Sequence, residues 1–149
     1  MPRYSFENIP ENLGTVNTSG HFDVDETTLG KPRQLEGSMI TRNIGRRNII
    51  GEVSDSSVPM IQFFHVTNPG TTNSLYVLKP VLTYPSQENL SGEYSGEMFT
   101  TRPININTQD FEEVRRVLFD VMSNPHAACY ESSGVRVKLR VVRNVNKKL

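Results

Sequence analysis

The chain has 149 residues, and its 16 basic and 16 acidic side chains leave no net charge. This length is typical of one domain with one hydrophobic core. No apolar run approaches the ~20 residues that cross a bilayer, and residues 1–12 lack the apolar stretch of a signal peptide, so we expect a soluble protein made in the cytoplasm.

Charged residues are distributed unevenly along the chain. Residues 1–30 hold five acids and one base, whereas residues 133–149 hold six bases and no acid. This asymmetry predicts either a polyanionic partner or complementary contacts between copies of the chain.

Motifs that would mark an enzyme or a metal site are missing from the sequence. It has no glycine-rich phosphate loop, no paired-histidine motif and no nucleophile elbow. The single Cys129 cannot form an intrachain disulfide; it is interpreted as a buried thiol, with an intermolecular disulfide or a reactive thiol as the alternative. His21, His65 and His126 are far apart, and each is better interpreted as structural or exposed than as a ligand. We therefore predict no catalytic residue, metal or cofactor.

Residues of about 1–50 are predicted to form an N-terminal arm or hairpin. Residues 1–22 are rich in Asn, Gly, Ser and Thr, which favours an irregular arm or a weak hairpin. Short β-like runs follow at His21–Val24 and Gly37–Thr41, and the basic stretch after them is a possible strand with a bulge at Gly45.

The clearest hairpin of the sequence joins Pro59–Val66 to Ser74–Pro85 through a turn that contains Pro69 and Gly70. Side chains alternate between two faces of a strand. The face assigned to the core holds Ile61, Phe63, Leu78 and Leu82. The other face mixes polar and apolar side chains: Gln62, Phe64, Lys79, Val81 and Thr83.

A third β-like run at Tyr94–Asn105 leads into a predicted helix at Thr108–Ser123. The helix has acidic residues in its first turn, and Asn124-Pro125 ends it. One face carries an apolar stripe at helical spacing, formed by Phe111, Val114, Leu118, Val121 and Met122. A lone amphipathic helix must bury this stripe on its own sheet or on a partner's.

The last predicted element is a strand at Gly134–Val145 with one apolar and one basic face. The apolar residues Val135, Val137, Leu139 and Val141 alternate with the basic residues Arg136, Lys138 and Arg140. The basic face fits two interpretations, a solvated edge strand protected by charge or a strand that contacts phosphates.

The segment from Met60 to about Ala128 resembles the coat proteins of single-stranded RNA bacteriophages. The hairpin Pro59–Pro85 is similar to their central hairpin, and Glu97–Thr108 is similar to their last sheet strand running into a capped helix. The predicted helix Gln109–Met122 and the Ser123-Asn124-Pro125 segment that ends it are similar to the helix of these coat proteins and to the residues that end it. The resemblance covers nearly half of the chain. Two features differ from the family: the strand at 134–145 replaces a second helix, and the N-terminal arm is longer.

The resemblance implies an α+β fold, in which an antiparallel β-sheet has an N-terminal hairpin and a C-terminal helix. The central sheet would span about 59–106. An intertwined dimer with one continuous sheet would complete the fold. Dimers of such proteins assemble into an icosahedral shell in the cytoplasm of the bacterial host. The shell packages single-stranded genomic RNA, and its inner sheet face binds an RNA hairpin as a translational repressor. The resemblance therefore implies a virion protein whose partners are itself and RNA, with no membrane.

The mixed face of the hairpin would then be the RNA-binding surface. Lys79 would neutralise phosphate, and Gln62 and Thr83 would hydrogen-bond to bases or ribose. Phe64 would stack on a base or, alternatively, pack under a loop. The resemblance places Val81 on the same face and offers further candidates on the next strand, Tyr94 and Glu97.

Two other functions compete with the coat protein. One is a cellular single-stranded nucleic-acid-binding β module, such as a small barrel, which would need several exposed aromatic side chains. The other is a small enzyme of unrecognised class, for which the sequence offers no convergent titratable groups.

Overall fold

The computed structural model describes residues 2–9, 18–26, 32–41, 45–65, 74–101, 113, 116 and 130–144. Within these residues the chain forms eight β-strands. They are β1 (Arg3–Asn8), β2 (Thr18–Val24), β3 (Arg33–Thr41), β4 (Gly45–Val53), β5 (Ile61–His65), β6 (Ser74–Pro80), β7 (Gly92–Thr101) and β8 (Tyr130–Arg143).

The eight strands close into a barrel in the order of the sequence. Each strand runs antiparallel to the next, and β8 pairs with β1 through the register Tyr4 with Arg143 and Phe6 with Val141. Every described strand is therefore hydrogen-bonded on both sides, and the closure joins the two ends of the described chain.

The predicted α+β fold, with an open sheet continued across a dimer, is wrong. A sheet can extend into a partner only through a strand with an unpaired edge, and the β1–β8 pairing uses both edges of this one. The predicted helix Thr108–Ser123, with its stripe residues, lies outside the described residues except for Glu113 and Arg116, which have helical backbone.

The barrel interior is filled by apolar side chains that alternate along every strand. Phe6 on β1 and Phe63 on β5 lie on opposite walls, yet their ring centroids are 6.0 Å apart. Tyr4 also stacks on Phe22 with a centroid distance of 5.4 Å. The interior is therefore a packed core at this level, as expected for eight strands. The buried cluster includes Tyr4, Phe6, Phe22, Val24, Leu35, Met39, Ile49, Val53, Ile61, Phe63, Tyr76, Leu78, Leu90, Tyr94, Leu139 and Val141.

Glycines at inner-face positions allow the sheet to bend. Gly51 lies opposite Phe63, and Gly96 lies between Leu78 and Val137. A Cβ atom at either glycine would collide with the backbone of the neighbouring strand. Such close approach is typical of the corners that let a sheet curl into a barrel.

One end of the barrel, here called the plugged end, is closed by the connection between β6 and β7, residues 81–91. Leu90 from this connection is fully buried in the core. Its backbone is held on both sides, because the Tyr94 hydroxyl donates to the Leu90 carbonyl at 2.6 Å and the Leu90 amide donates to the Tyr4 hydroxyl at 3.2 Å. The side-chain amide of Gln87 donates to the carbonyls of Ser54 and Ser56, at 2.9 and 2.6 Å.

The hairpin prediction is confirmed in its first part. Ile61, Phe63 and Leu78 face the interior, each 1% exposed. Leu82 was assigned to the same face, but β6 ends at Pro80 and Leu82 is 91% exposed. The alternation of buried and exposed side chains therefore ends with the hydrogen-bonded part of β6, at Pro80.

Of the two N-terminal alternatives, an irregular arm and a weak hairpin, the structure shows a hairpin: β1 and β2 pair in a regular antiparallel ladder that is part of the barrel. Gly45 begins β4 with a φ of 80° instead of forming a bulge inside a strand. The ladder irregularity near Met98 in the β7–β8 pair was not predicted.

Candidate binding site at the polar end of the barrel

Polar side chains face the interior at the end opposite the plug, here called the polar end. This is where β1, β3 and β5 finish and β2, β4 and β6 begin. Asn8, Thr41 and His65 are each two residues beyond a core residue of the same strand, namely Phe6, Met39 and Phe63. Two residues of strand advance the chain by about 7 Å. The three polar side chains therefore lie one layer above the aromatic contact between Phe6 and Phe63.

Three polar atoms at this end are buried without a hydrogen-bond partner. They are Asn8 Nδ2, Thr41 Oγ1 and His65 Nε2; the fourth such atom in the described residues, Arg33 Nε, lies at the plugged end. His65 is 1% exposed and Thr41 is 7% exposed. An unmet polar group in such a place costs about 1–3 kcal/mol, and native proteins contain few of them. Three of the four such atoms in the described residues therefore lie in one layer of the barrel.

Two basic side chains, His65 and Arg47, lie at the polar end. Burial, with a smaller contribution from the nearby Arg47 guanidinium, lowers the pKa of His65 from 6.5 to about 4. His65 is therefore neutral at physiological pH. Arg47 pairs with Met39 across the β3–β4 ladder, which puts it on the inner face at the rim, where it is exposed.

A concavity of about 480 Å³ lies on the outer face of the barrel. Its floor is hollow because short side chains, including Ser5, Ser19 and Gly20, occupy neighbouring strands. Arg46 and Arg140 stand at its two sides. Arg46 already donates to Ser38 Oγ at 2.9 Å, and Arg140 forms an ion pair of 3.6 Å with Glu93. This groove is open and carries both charges, so it indicates no single ligand chemistry.

The structure does not bring the predicted RNA-binding residues onto one surface. Tyr94 is fully buried in the barrel core, and Phe64 is 1% exposed although it faces outward. Neither side chain is available to stack on a base. Lys79 is exposed on the outer face of β6.

The remaining predicted RNA-binding residues engage other groups. Gln62 Nε2 donates to Glu52 Oε1 at 2.8 Å, and Glu97 forms an ion pair of 3.7 Å with Arg136. Val81 and Thr83 lie in the plug connection, where the Thr83 hydroxyl contacts the backbone of Glu93.

The basic strand prediction is confirmed in its alternation: Val137, Leu139 and Val141 face the core, and Arg136, Lys138 and Arg140 lie on the outer face of β8. Its basic face pairs across the ladder with acidic β7, since Arg136 lies opposite Glu97 and Arg140 opposite Glu93. Arg136 and Arg140 therefore each have an acidic neighbour on the adjacent strand.

Asn8 and Thr41 were missed by the sequence analysis, and His65 was interpreted as structural or exposed. A signal was present for His65, because it continues the alternation of Ile61 and Phe63 and so belongs to the inner face. Asn8 follows Tyr4 and Phe6 in the same way. Neither pattern reveals that the two strands lie on opposite walls of one barrel.

Within the part of the chain described, no three His, Cys, Asp or Glu side chains are grouped to hold a metal ion. The same residues include no helix with the length and apolar composition that crossing a membrane requires. No protein-family model, curated protein or solved structure matches this chain.

Proposed function

We propose that this protein binds a small polar ligand at the polar end of its barrel. The observation that supports the proposal is the layer of unmet polar atoms on Asn8, Thr41 and His65 above the Phe6–Phe63 contact. A ligand that pairs with these atoms relieves the cost of burying them. Small-molecule sites in the mouths of barrels typically combine a few convergent polar groups with an apolar floor.

The contrast with the rest of the core supports this proposal. Buried polar groups of the plug, including the hydroxyls of Tyr4 and Tyr94, have partners at hydrogen-bonding distance. The chain therefore pairs its interior polar groups where they serve the fold. Three of the four unpartnered buried atoms in the described residues lie at the polar end, with Arg33 Nε as the fourth, and an external partner would account for these three.

Capsid assembly, RNA-hairpin binding and the lack of enzymatic activity stay predictions. The first two depended on an open sheet shared between two subunits, and the closed barrel removes that premise. The nucleic-acid-binding alternative required exposed aromatic platforms. Among the described residues the exposed large hydrophobic side chains include one aromatic, Tyr84.

Ligand-induced thermal stabilisation tests the proposed function. The melting temperature of the full chain would be measured with acetate, benzoate, benzylamine, benzamide and glucose. At least one compound is expected to raise it, because a ligand that binds only the folded state stabilises that state. Thr41→Val removes the orphaned hydroxyl at nearly constant shape and should abolish the rise. Ser38→Ala, on the outer face of the same strand, should preserve it.

Two results would overturn the proposed function. One is that no compound in any class changes the melting temperature of the native chain. The other is a rise that persists unchanged in Thr41→Val but disappears in Ser38→Ala, since this pattern would place binding on the outer face.

A further inference from the structure

The exposed large apolar side chains of the described residues fall into two groups. The first group lies in the connections at the plugged end, and the second lines the groove on the outer face of the barrel. Val58, Leu82 and Tyr84 form the first group, and Ile40 and Val142 form the second. Single exposed apolar residues are ordinary, whereas exposed apolar residues that cluster mark interaction sites. Both groups are therefore candidate contact surfaces.

Leu82 and Tyr84, here called the knob, project from a connection whose backbone is held in place. The Val81 amide donates to the Glu93 carbonyl at 2.9 Å. The Thr83 hydroxyl contacts the Glu93 carbonyl at 3.2 Å and the Glu93 amide at 3.1 Å. Residues 81 and 83 are thus fixed to β7, whereas the two knob side chains are 91% and 100% exposed. The knob is a preformed apolar projection.

The backbone of Leu82 is strained. Its φ is 54°, the only positive φ of a non-glycine residue in the part of the chain that the structure describes. A leucine is unfavourable in this left-handed region because its Cβ crowds the next carbonyl oxygen. Glycine or asparagine would relieve the strain but would not place an apolar side chain in solvent. Strain of this kind clusters at functional sites.

The outer groove has the complementary shape and surface. Its floor is hollow because Ser19 and Gly20 are small, and Ile40 on β3 and Val142 on β8 give it apolar sides. Its volume of about 480 Å³ lies in the range of about 300–1,000 Å³ that holds a drug-sized molecule, so it has room for the knob.

The charges of the two surfaces are also complementary. The β4–β5 and β6–β7 connections at the plugged end contain two exposed acids, Asp55 and Glu88, and no base. The groove is lined by two arginines, Arg46 and Arg140, and by one carboxylate, that of Glu7. A partner that carries the knob and its acids therefore meets an excess of positive charge at the groove, which favours that partner over a basic one.

We infer that the outer groove binds the knob of a second copy of this chain. The knob and the side chains of the groove are exposed, so the contact is not made within one molecule. Because the two surfaces differ, each copy can use its knob on one neighbour and its groove on another. A contact of this size belongs to the weak class, with a dissociation constant of about 1 µM or higher, and the dilute chain is a monomer.

The first experiment tests the knob. Analytical ultracentrifugation of the full chain from about 5 to about 500 µM should show an average mass that rises with concentration. The double variant Leu82→Asn with Tyr84→Ser removes the apolar side chains, and asparagine tolerates the positive φ. It should weaken association by at least about tenfold, as expected for interface anchors. Tyr84→Phe keeps the ring and is the control; it should change association by less than about threefold.

The second experiment tests the groove and its pairing with the knob. Ser19→Tyr fills the floor from an exposed position and should also weaken association by at least about tenfold. Ser95→Tyr, on the outer face of β7 and outside the groove, is the matched control and should leave association within about twofold of the native value. The double knob variant retains its groove, and Ser19→Tyr retains its knob. A mixture of the two should therefore form pairs of one copy of each, although each alone is a monomer.

Four results would overturn the inference. One is a native chain that stays monomeric at the highest concentration, which would assign the knob to a partner of another kind. Another is association that the double knob variant leaves unchanged. A third is an equal loss in Ser19→Tyr and Ser95→Tyr. The last is a mixture of the two monomeric variants that does not pair. The contact lies outside the barrel, so none of these results bears on the ligand proposed at the polar end.

Discussion

The two ends of the barrel treat their polar groups in opposite ways. At the plugged end, hydroxyl, amide and guanidinium groups form a connected set that reaches from Tyr4 through Leu90 to Tyr94, and from Arg33 through Gln87 to the Ser54 carbonyl. At the polar end, three buried atoms have no partner. The comparison teaches that this chain can satisfy buried polar groups within its own fold, so a layer of unsatisfied ones is informative.

The plugged end also contains a buried polar group that is only partly paired. Arg33 is 5% exposed, burial lowers its pKa, and its Nε atom is unpartnered. Its guanidinium nevertheless donates to Gln87 Oε1 at 2.9 Å, which ties it to the plug. This link between β3 and the plug supports a role for Arg33 in stability.

The largest effect is expected from breaking the plug. Leu90→Ala should lower the free energy of unfolding by about 4 kcal/mol, because it removes a fully buried side chain and leaves a cavity. Urea unfolding would measure the change. Leu82→Ala in the same connection is the control and should cost less than about 0.5 kcal/mol, since Leu82 is 91% exposed. Equal losses in the two variants would show that the connection does not close the core.

The next effect concerns His65 and pH. Its pKa is about 4 in the folded chain and 6.5 when unfolded, so between these values the unfolded chain binds more protons. The contribution of His65 to the free energy of unfolding should therefore be fully present above pH 6.5. It should be lost as the pH falls from 6.5 to about 4, by about 3 kcal/mol in total. Urea unfolding from pH 7.5 to 3.5 would measure this loss.

A matched pair of variants assigns the pH effect. His65→Gln should remove most of the loss, whereas His21→Gln, on the outer face of β2, should retain it. A native chain whose stability is flat between pH 6.5 and 4 would contradict the buried, neutral state of His65. Urea unfolding of the native chain and of Leu90→Ala at pH 5 would also show whether the polar end and the plugged end unfold together.

Local parts of this architecture could be predicted from the sequence. The alternation in Ile61–His65 and in Arg136–Val141 reports two faces of a strand directly, because side-chain direction has a period of two. The same rule applied to Tyr4 and Phe6 would have revealed β1, but the surrounding Asn, Gly and Ser residues favoured an irregular arm. Composition was given more weight than periodicity there, so an irregular arm and a weak hairpin both stayed open, and the structure shows the hairpin.

Barrel closure could not be predicted, because no local pattern records which strands meet. The pairing of Tyr4 with Arg143 joins positions near the two ends of the chain, and it decides between an open sheet and a barrel. The candidate site depends on that closure. Asn8 and His65 share a layer only because β1 and β5 face each other across the interior, as the Phe6–Phe63 contact demonstrates.

The smallest effects give the sharpest comparison, since one hydroxyl can be removed from each end. Tyr94→Phe should cost about 1–2 kcal/mol, because it leaves the buried Leu90 carbonyl without its 2.6 Å donor. Thr41→Val removes a hydroxyl that has no partner, so it should cost nothing or stabilise the chain by up to about 1 kcal/mol. Tyr84→Phe, at a fully exposed site, is the control for losing a phenol and should be neutral. Urea unfolding of the three variants measures all of these differences. A loss in Thr41→Val as large as that in Tyr94→Phe would mean that the Thr41 hydroxyl has a partner inside the fold, and the distinction between the two ends would disappear.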